Sequence, residues 1–472
     1  MTGRTLSQQL AAFALGCREG RVPPEVAASV RQRIVDVLGI CVAARRLDTS
    51  AAVIGLVADT GGTPQATVVG ERTRVPAAGA AFANGVLAHS LDYDDTHLPS
   101  VLHPSASVVP AALAAAESAG RPARDLVPAI AAGVEITVRL GMAGYDRQAR
   151  DSLFFDRGQH ATSICGTLGA AAAAGMLAGL DGRGIADALG IAASFASGII
   201  EGNRTGGTVK RMHCGWAAQA GVTAAQLAGR GITGPPTALE GRFGFFQAFL
   251  DGHFHADELL RGLGTDWQLP GIFFKPYPAN HFTHAGIDAA IALRGRGLRP
   301  PEVAEAVLRV AAPTVRTIGE PLAAKQRPET GYQAQFSGPY TVTAALFGGG
   351  GLGLGLTDFT DALAVAPERR DLMARIRVES DPACDEIFPW QFPAILSVRT
   401  TDGRVLEERV LTNRGGPDRP LTDAEILAKF TDNAATAVPG EQIARFRRLV
   451  DDLDRVAGVT ALLEPLRTDN RP

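Results

Sequence analysis

Apolar residues recur at three- and four-residue steps through most of this chain, and that spacing predicts helices. MTGRTLSQQLAAFALGCREG at the start reads as a first helix, and a second opens at Pro23–Pro24 with Val26, Val30, Ile34, Val37, Leu38 and Cys41 on one face. ATVVGERTRVP reads as a short strand excursion. Small-residue helices follow over 76–88, from Ser105 or Ser107 onward, and over 126–140, where Glu135 and Arg139 form an i, i+4 pair. Further helices are predicted after His160, over GIADALGIAASFASGII, and from the cluster Lys210, Arg211, His213 to Gly231. Polar clusters therefore stand just before helix N-termini, where free N–H groups favour anions.

The texture changes near Pro270. Lys275, Tyr277, His281 and His284 precede one more helix, and VAEAVLRVAAPTV and RIRVES alternate as strands do. Leu396–Thr400 and Val405–Leu411 flank Asp402–Gly403, a hairpin signal. Thr422 and Glu425 are spaced as a capping box, and Ile443, Phe446, Leu449, Val450 and Leu453 line a closing helix. The expectation is a mainly α protein with an α+β second domain: a discontinuous helical domain, 1–270 and 412–472, around an α+β domain at 271–411.

Composition narrows the function classes. With 46 Lys+Arg against 49 Asp+Glu among 472 residues, the net charge of −3 gives no basis for a nucleic-acid or membrane partner. The five cysteines are scattered without a CxxC pair, which speaks against a disulfide framework or a cysteine-built zinc or iron–sulfur site and points to a reducing, cytoplasmic setting. The uncharged run 161–180 is long enough to cross a bilayer but is mostly Ala and Gly, so it reads as a packed interior helix.

The densest chemistry lies in HSLDYDDTHLPSVLH, residues 89–103, with Asp92, Asp94, Asp95, His89, His97 and His103. Three readings stand open. It is a solvated turn with Asp95 capping the next element, or a Mg²⁺ site similar to the acid motif of class II terpene cyclases, or a proton-transfer site in which Asp92 orients a histidine and Thr96 or His103 faces substrate. Only 6% of the chain is aromatic, too little for a terpene pocket. His160 and Lys210 have bland alternatives as a capping histidine and a surface lysine. His281 and His284 are spaced for a metal but lack a third ligand nearby, and Tyr340 is by default a core tyrosine. Lys275, set in FFKPYP, either snorkels or meets an anion.

Five segments in order, HSLDYDDTHLPSVLHPSASVVPAALAAAE, HATSICGTLGAAAAAGMLAGL, GGTVKRMHCGWAAQAGVTAAQLAGRGITGP, KPYPANHFTHAGIDAA and FSGPYTVTAAL, resemble the MmgE/PrpD family. That family includes dehydratases, a decarboxylase branch and an epimerase. The resemblance implies a helical domain with a smaller lid domain, a homodimer, a small polycarboxylate as substrate, and no organic cofactor or metal. It implies catalytic roles for His103, His160, Lys210, Lys275 and Tyr340, and substrate binding by Asp92, Thr96, Lys210 and Lys275. The chemistry so implied is dehydration or decarboxylation by proton transfer beside a carboxylate. An epimerase using the same groups, or a non-catalytic carboxylate-binding protein, are the alternatives. Asn280 stands where the decarboxylase branch carries histidine, and KPYP lacks the glutamate-bearing pattern of 2-methylcitrate dehydratases, so no particular substrate is named.

Overall fold

The computed structural model describes residues 3–202 and 207–468. The chain divides into two units, Met1–Ile272 with Asn433–Pro472, and Phe273–Asp432. Part of the Gly-rich turn predicted before Lys210 lies outside the described residues.

The first unit is built from helices α1 (Leu6–Arg18), α2 (Pro24–Ala44), α3 (Asp48–Thr60), α4 (Ala77–His89), α5 (Ser105–Ser118), α6 (Leu126–Ala143), α7 (Ala161–Leu177), α8 (Gly182–Phe195) and α9 (Met212–Ala228). The predicted helices are present, although the one expected over GIADALGIAASFASGII stops at Phe195, and Thr5 closes a capping box on α1. The predicted excursion is a two-residue hairpin, Ala66–Thr67 against Arg74–Val75. A second small hairpin, Tyr145–Asp146 against Asp151–Ser152, was not foreseen. Helix α7 lies at the heart of the unit, packed on α5, α6, α8 and α9, with every one of its 17 residues buried. Its Ala and Gly side chains let neighbouring backbones approach closely. The same device sets α4 against α9, where a Cβ on Gly85 would meet Gly215 Cα at 2.7 Å and Cys214 O at 2.8 Å. The 21-residue segment Ala123–Ala143, which contains α6, is apolar and long enough to cross a membrane, but 89% of its apolar window is buried inside the protein. Glu135 and Arg139 on α6 do pair, at 2.7 Å, and both are buried.

The second unit holds a four-stranded sheet in the order Ile376–Ser380, Val303–Val310, Ala394–Thr400, Val405–Val410. The first pair is parallel, with Leu308 opposite Val378, and the other two are antiparallel. The helix His284–Gly295 packs on the last two strands and on the helix Gly338–Phe347. The strand from Val303 stops at Val310 because Pro313 starts a helix, Ala312–Ile318, at its second position. The expected return to the helical unit at 412 is corrected: residues 412–432 belong to the second unit. Arg414 bonds Leu352 O and the Tyr277 hydroxyl, Asn413 exchanges bonds with Phe392, and Arg419 pairs with Asp288, so these bonds hold the segment there. The capping box of Thr422 and Glu425 forms as predicted.

Candidate active site

The stretch from His89 to His103 joins the C-terminus of α4 to α5. It is buried almost throughout, so the solvated-turn reading fails, although Asp95 does accept the N–H of Ser105 at the start of α5. The loop folds back on itself, with His97 N–H donating to Leu102 O at 2.8 Å and Leu102 N–H to His97 O at 3.3 Å. Val101 at the tip has φ 52° and Asp92 has φ 51°. For a β-branched residue such a φ is strained, at a cost of order 1–3 kcal/mol, and such strain concentrates at functional sites.

Its three acids have three different partners. Asp95 forms a buried ion pair with Arg33 of α2 at 2.5 Å, and the other amino group of Arg33 donates to Leu269 O and Ile272 O. Asp94 Oδ2 accepts from His89 Nδ1 at 2.7 Å. Asp92 Oδ1 lies 3.6 Å from Lys210 Nζ. The carboxylates therefore diverge instead of converging on one point, the opposite of a hard-cation cage.

His103 is fixed at its inner nitrogen. Nδ1 lies 2.6 Å from Asp95 O, a main-chain acceptor, so Nδ1 carries a hydrogen and donates it. Thr96 Oγ1 stands 3.4 Å from the same nitrogen, and Asp94 Oδ2 3.8 Å away. The backbone N–H of His103 donates to Thr162 Oγ1 on α7. His160 is the N-cap residue of α7, held by its N–H to Gly198 O at 3.0 Å. Its Nδ1 meets His213 Nδ1 at 2.9 Å. Two nitrogens in that contact share a single hydrogen, so one ring donates and the other accepts. The His89 ring bridges the two ends, 5.2 Å from His103 and 5.6 Å from His160 between centroids.

Electrostatics follow from this crowding. Burial, then the nearby His89, Lys210, His213 and His103, push His160 well below the ordinary imidazole range. Burial, then His89 and Lys210, push His213 down to about 4. Both rings are therefore neutral near pH 7. The cysteines are all free and buried. Burial first, then Asp94, raises the thiols of Cys41 and Cys214, which keeps them protonated and poor nucleophiles.

Of the residues anticipated from sequence, the first unit assembles Asp92, Thr96, His103, His160 and Lys210. Lys210 sits on the turn Val209–Arg211 that leads into α9, largely covered, with 14% of its side chain exposed. His89, Asp94 and His213 complete this assembly, and sequence reasoning gave them no role. His213 stood in the cluster with Lys210 and Arg211, but its contact with His160 crosses 53 residues.

Lys275 and Tyr340 belong to the second unit. Lys275 is buried there, 1% exposed. The Tyr340 hydroxyl donates to Asp358 O at 2.5 Å and accepts from Arg369 at 3.3 Å, and burial first raises it to about 12. Tyr340 thus has the surroundings of a core tyrosine. His281 and His284 lie 4.5 Å apart between centroids, among Phe273, Phe392 and Tyr277, with His284 Nε2 bonded to Ala279 O. Asn280 accepts from Phe282 N–H and so caps its own turn.

Residues 8–257 match the MmgE/PrpD N-terminal domain and residues 277–455 the MmgE/PrpD C-terminal domain. The human cis-aconitate decarboxylase is 29% identical over 487 residues, covering 99% of this chain and 96% of that protein. The mouse cis-aconitate decarboxylase is 30% identical over 408 residues, covering 84% and 79%. That of Aspergillus terreus is 26% identical over 420 residues, covering 84% and 83%. The chain therefore belongs to the MmgE/PrpD family, and it is an enzyme of that family's lyase type.

Proposed function

We propose that the protein is a decarboxylating lyase of a small unsaturated tricarboxylic acid, with cis-aconitate the first substrate to test. The observation that carries this reading is the buried group of His103, Thr96, His160 and Lys210 in the first unit, on a chain similar throughout to cis-aconitate decarboxylases. In such a reaction the bond to one carboxylate breaks and CO₂ leaves. Its electron pair shifts through the double bond to the carbon beside a remaining carboxylate, and a proton closes that carbon. His103 is the donor in this scheme: its Nδ1–H is held by Asp95 O, so Nε2 is the nitrogen that gives up and regains a proton. Lys210 supplies positive charge for a carboxylate. The neutral His160 offers a second nitrogen that needs no prior deprotonation. We extend the substrate-binding role to Asp92, which holds the Lys210 ammonium, and to Lys275, each to be tested by its own substitution.

The test is proton NMR of the purified protein with cis-aconitate in D₂O, together with CO₂ release. Equimolar CO₂ and a product with a new terminal alkene support the reading. Absence of turnover with cis-aconitate, alongside dehydration of a 2-hydroxy tricarboxylate or deuterium exchange of a dicarboxylate, replaces it with the dehydratase or the epimerase. Asn280, which caps its own turn and presents no imidazole, is the feature that favours a substrate other than that of the decarboxylase branch.

A further inference from the structure

Asp94 lies at the centre of the histidine group, fully buried. One of its oxygens, Oδ2, faces two imidazoles at unequal range, His89 Nδ1 at 2.7 Å and His103 Nδ1 at 3.8 Å. The nearer contact is a hydrogen bond. It places a hydrogen of His89 on Nδ1, while Nε2 is buried and has no hydrogen-bond partner among the described residues. The farther contact is not one, because His103 gives its Nδ1 hydrogen to Asp95 O at 2.6 Å. Asp94 therefore acts on His103 through space, in a setting where water does little to weaken the field.

We propose that Asp94 is a positioning residue whose carboxylate, held in place by His89, sets the proton affinity of His103 and so the pH range over which His103 can deliver a proton. The assignment rests on His103 being the donor in the reaction above. The other charged or titratable groups around His103 divide clearly. Asp95 is matched by Arg33 and Asp92 by Lys210, while His160 and His213 share one hydrogen between them. The Cys41 and Cys214 thiols lie within the field of Asp94 and stay protonated. Asp94 shares one oxygen between two rings, in short contact with His89 Nδ1 and 3.8 Å from His103 Nδ1. Its negative charge is thus placed to favour the imidazolium of His103. His89 then works as a brake, keeping Oδ2 at 2.7 Å from itself and away from direct contact with His103.

The consequence is a pair of opposite shifts. An opposite charge within about 4–6 Å moves a pKa by about 1–3 units. Asp94→Asn removes that charge and lowers the His103 pKa by about one unit or more, a tenfold or greater loss of its protonated fraction. His89→Ala releases Oδ2 toward His103 and raises it, whereas His89→Gln keeps an N–H on Oδ2 and leaves it near the wild-type value. The measurement is an NMR titration of the intact enzyme carrying ¹³C in its histidine rings, with the His103 signal identified by its loss in His103→Gln. The pH profile of kcat/KM is recorded on the same variants. Opposite shifts in Asp94→Asn and His89→Ala support the proposal, since a merely structural loss moves both the same way. Titration of His103 at the wild-type pH in Asp94→Asn overturns it. If Asp94→Asn does not fold, the His89 pair carries the test, and equal titration in His89→Ala and His89→Gln overturns it. A His103 shift seen by NMR while the kinetic profile stays in place keeps Asp94 as the group that tunes His103 and removes His103 as the proton donor, so the two assignments fail separately.

Discussion

Replacing Asp95 by Asn is the sharpest test of what holds the loop in place. Its carboxylate and the Arg33 guanidinium meet at 2.5 Å with both side chains 1% exposed. Burial pushes the Asp95 carboxyl up and the Arg33 guanidinium down, and their mutual attraction opposes both shifts. Asn keeps the shape and an oxygen for the Ser105 N–H, but leaves the buried Arg33 guanidinium, which also donates to Leu269 O and Ile272 O, without the Asp95 carboxylate. Breaking a buried pair from one side costs about 3–5 kcal/mol. At about 2 °C per kcal/mol for a chain of this size, the melting midpoint falls by roughly 6–10 °C. Arg33→Met strands the carboxylate instead. With its pKa raised in the fold above the unfolded value, the carboxyl regains stability as pH falls, because the folded state then binds the proton more readily. The deficit of Arg33→Met therefore narrows from pH 7 to pH 5 relative to wild type, while that of Asp95→Asn does not. The double variant loses less than the sum of the two by up to about 3 kcal/mol. Urea and thermal unfolding followed by circular dichroism read all four proteins. An Asp95→Asn protein that melts within about 1 °C of wild type, or a double variant that loses the full sum, refutes the account.

Three further outcomes are expected. Burial holds His97 at about 4, below the ordinary value of 6.5, so its contribution is complete above pH 6.5 and is lost as pH falls toward 4. His97→Gln, which can still meet Ser100, flattens the urea midpoint across that window, and an unchanged slope rejects the assignment. Gly215→Ala places a Cβ 2.5 Å from Phe82 O and from Val86 Cγ2 where α4 crosses α9. Overpacking of this kind costs about 1–3 kcal/mol. It displaces the helix that carries His213, so melting midpoint and activity drop together, and an unshifted midpoint contradicts the close approach. Lys210→Met lowers kcat/KM for the tricarboxylate by about 10² or more; a loss under about threefold removes Lys210 from the carboxylate site.

Legibility in the sequence followed the range of the interactions involved. The helices flanking the loop could be read because Pro76 and Pro104 stand at the starts of runs of small residues, and such signals are local. Helix α3 went unread: Leu56 is exposed while Val53 and Val57 are buried, so apolar residues lie on both faces and no polar stripe marks it. The second unit hid its shortest helices for another reason. Leu322–Lys325, Gly331–Ala334 and Asp361–Ala364 are single turns, too short for a period to show.

The acids of the loop make the same point at the level of the site. Asp92, Asp94 and Asp95 are near-neighbours of one type, and spacing alone left a cation cage, a solvated turn and a proton-transfer wall all open. Their tasks are set by where their partners come from. The partner of Asp95 lies 62 residues upstream on α2, that of Asp94 five residues back at the end of α4, and that of Asp92 on the turn before α9. Each partner changes the charge its acid presents. Arg33 neutralises one and uses it to fasten the loop. Lys210 holds the second beside a cation. His89 leaves the third with a field that reaches His103. The crowding of three acids is tolerable because two of the charges are matched by cations from elsewhere in the unit, and a chain that lost Arg33 would strand the Asp95 charge inside the loop that carries His103.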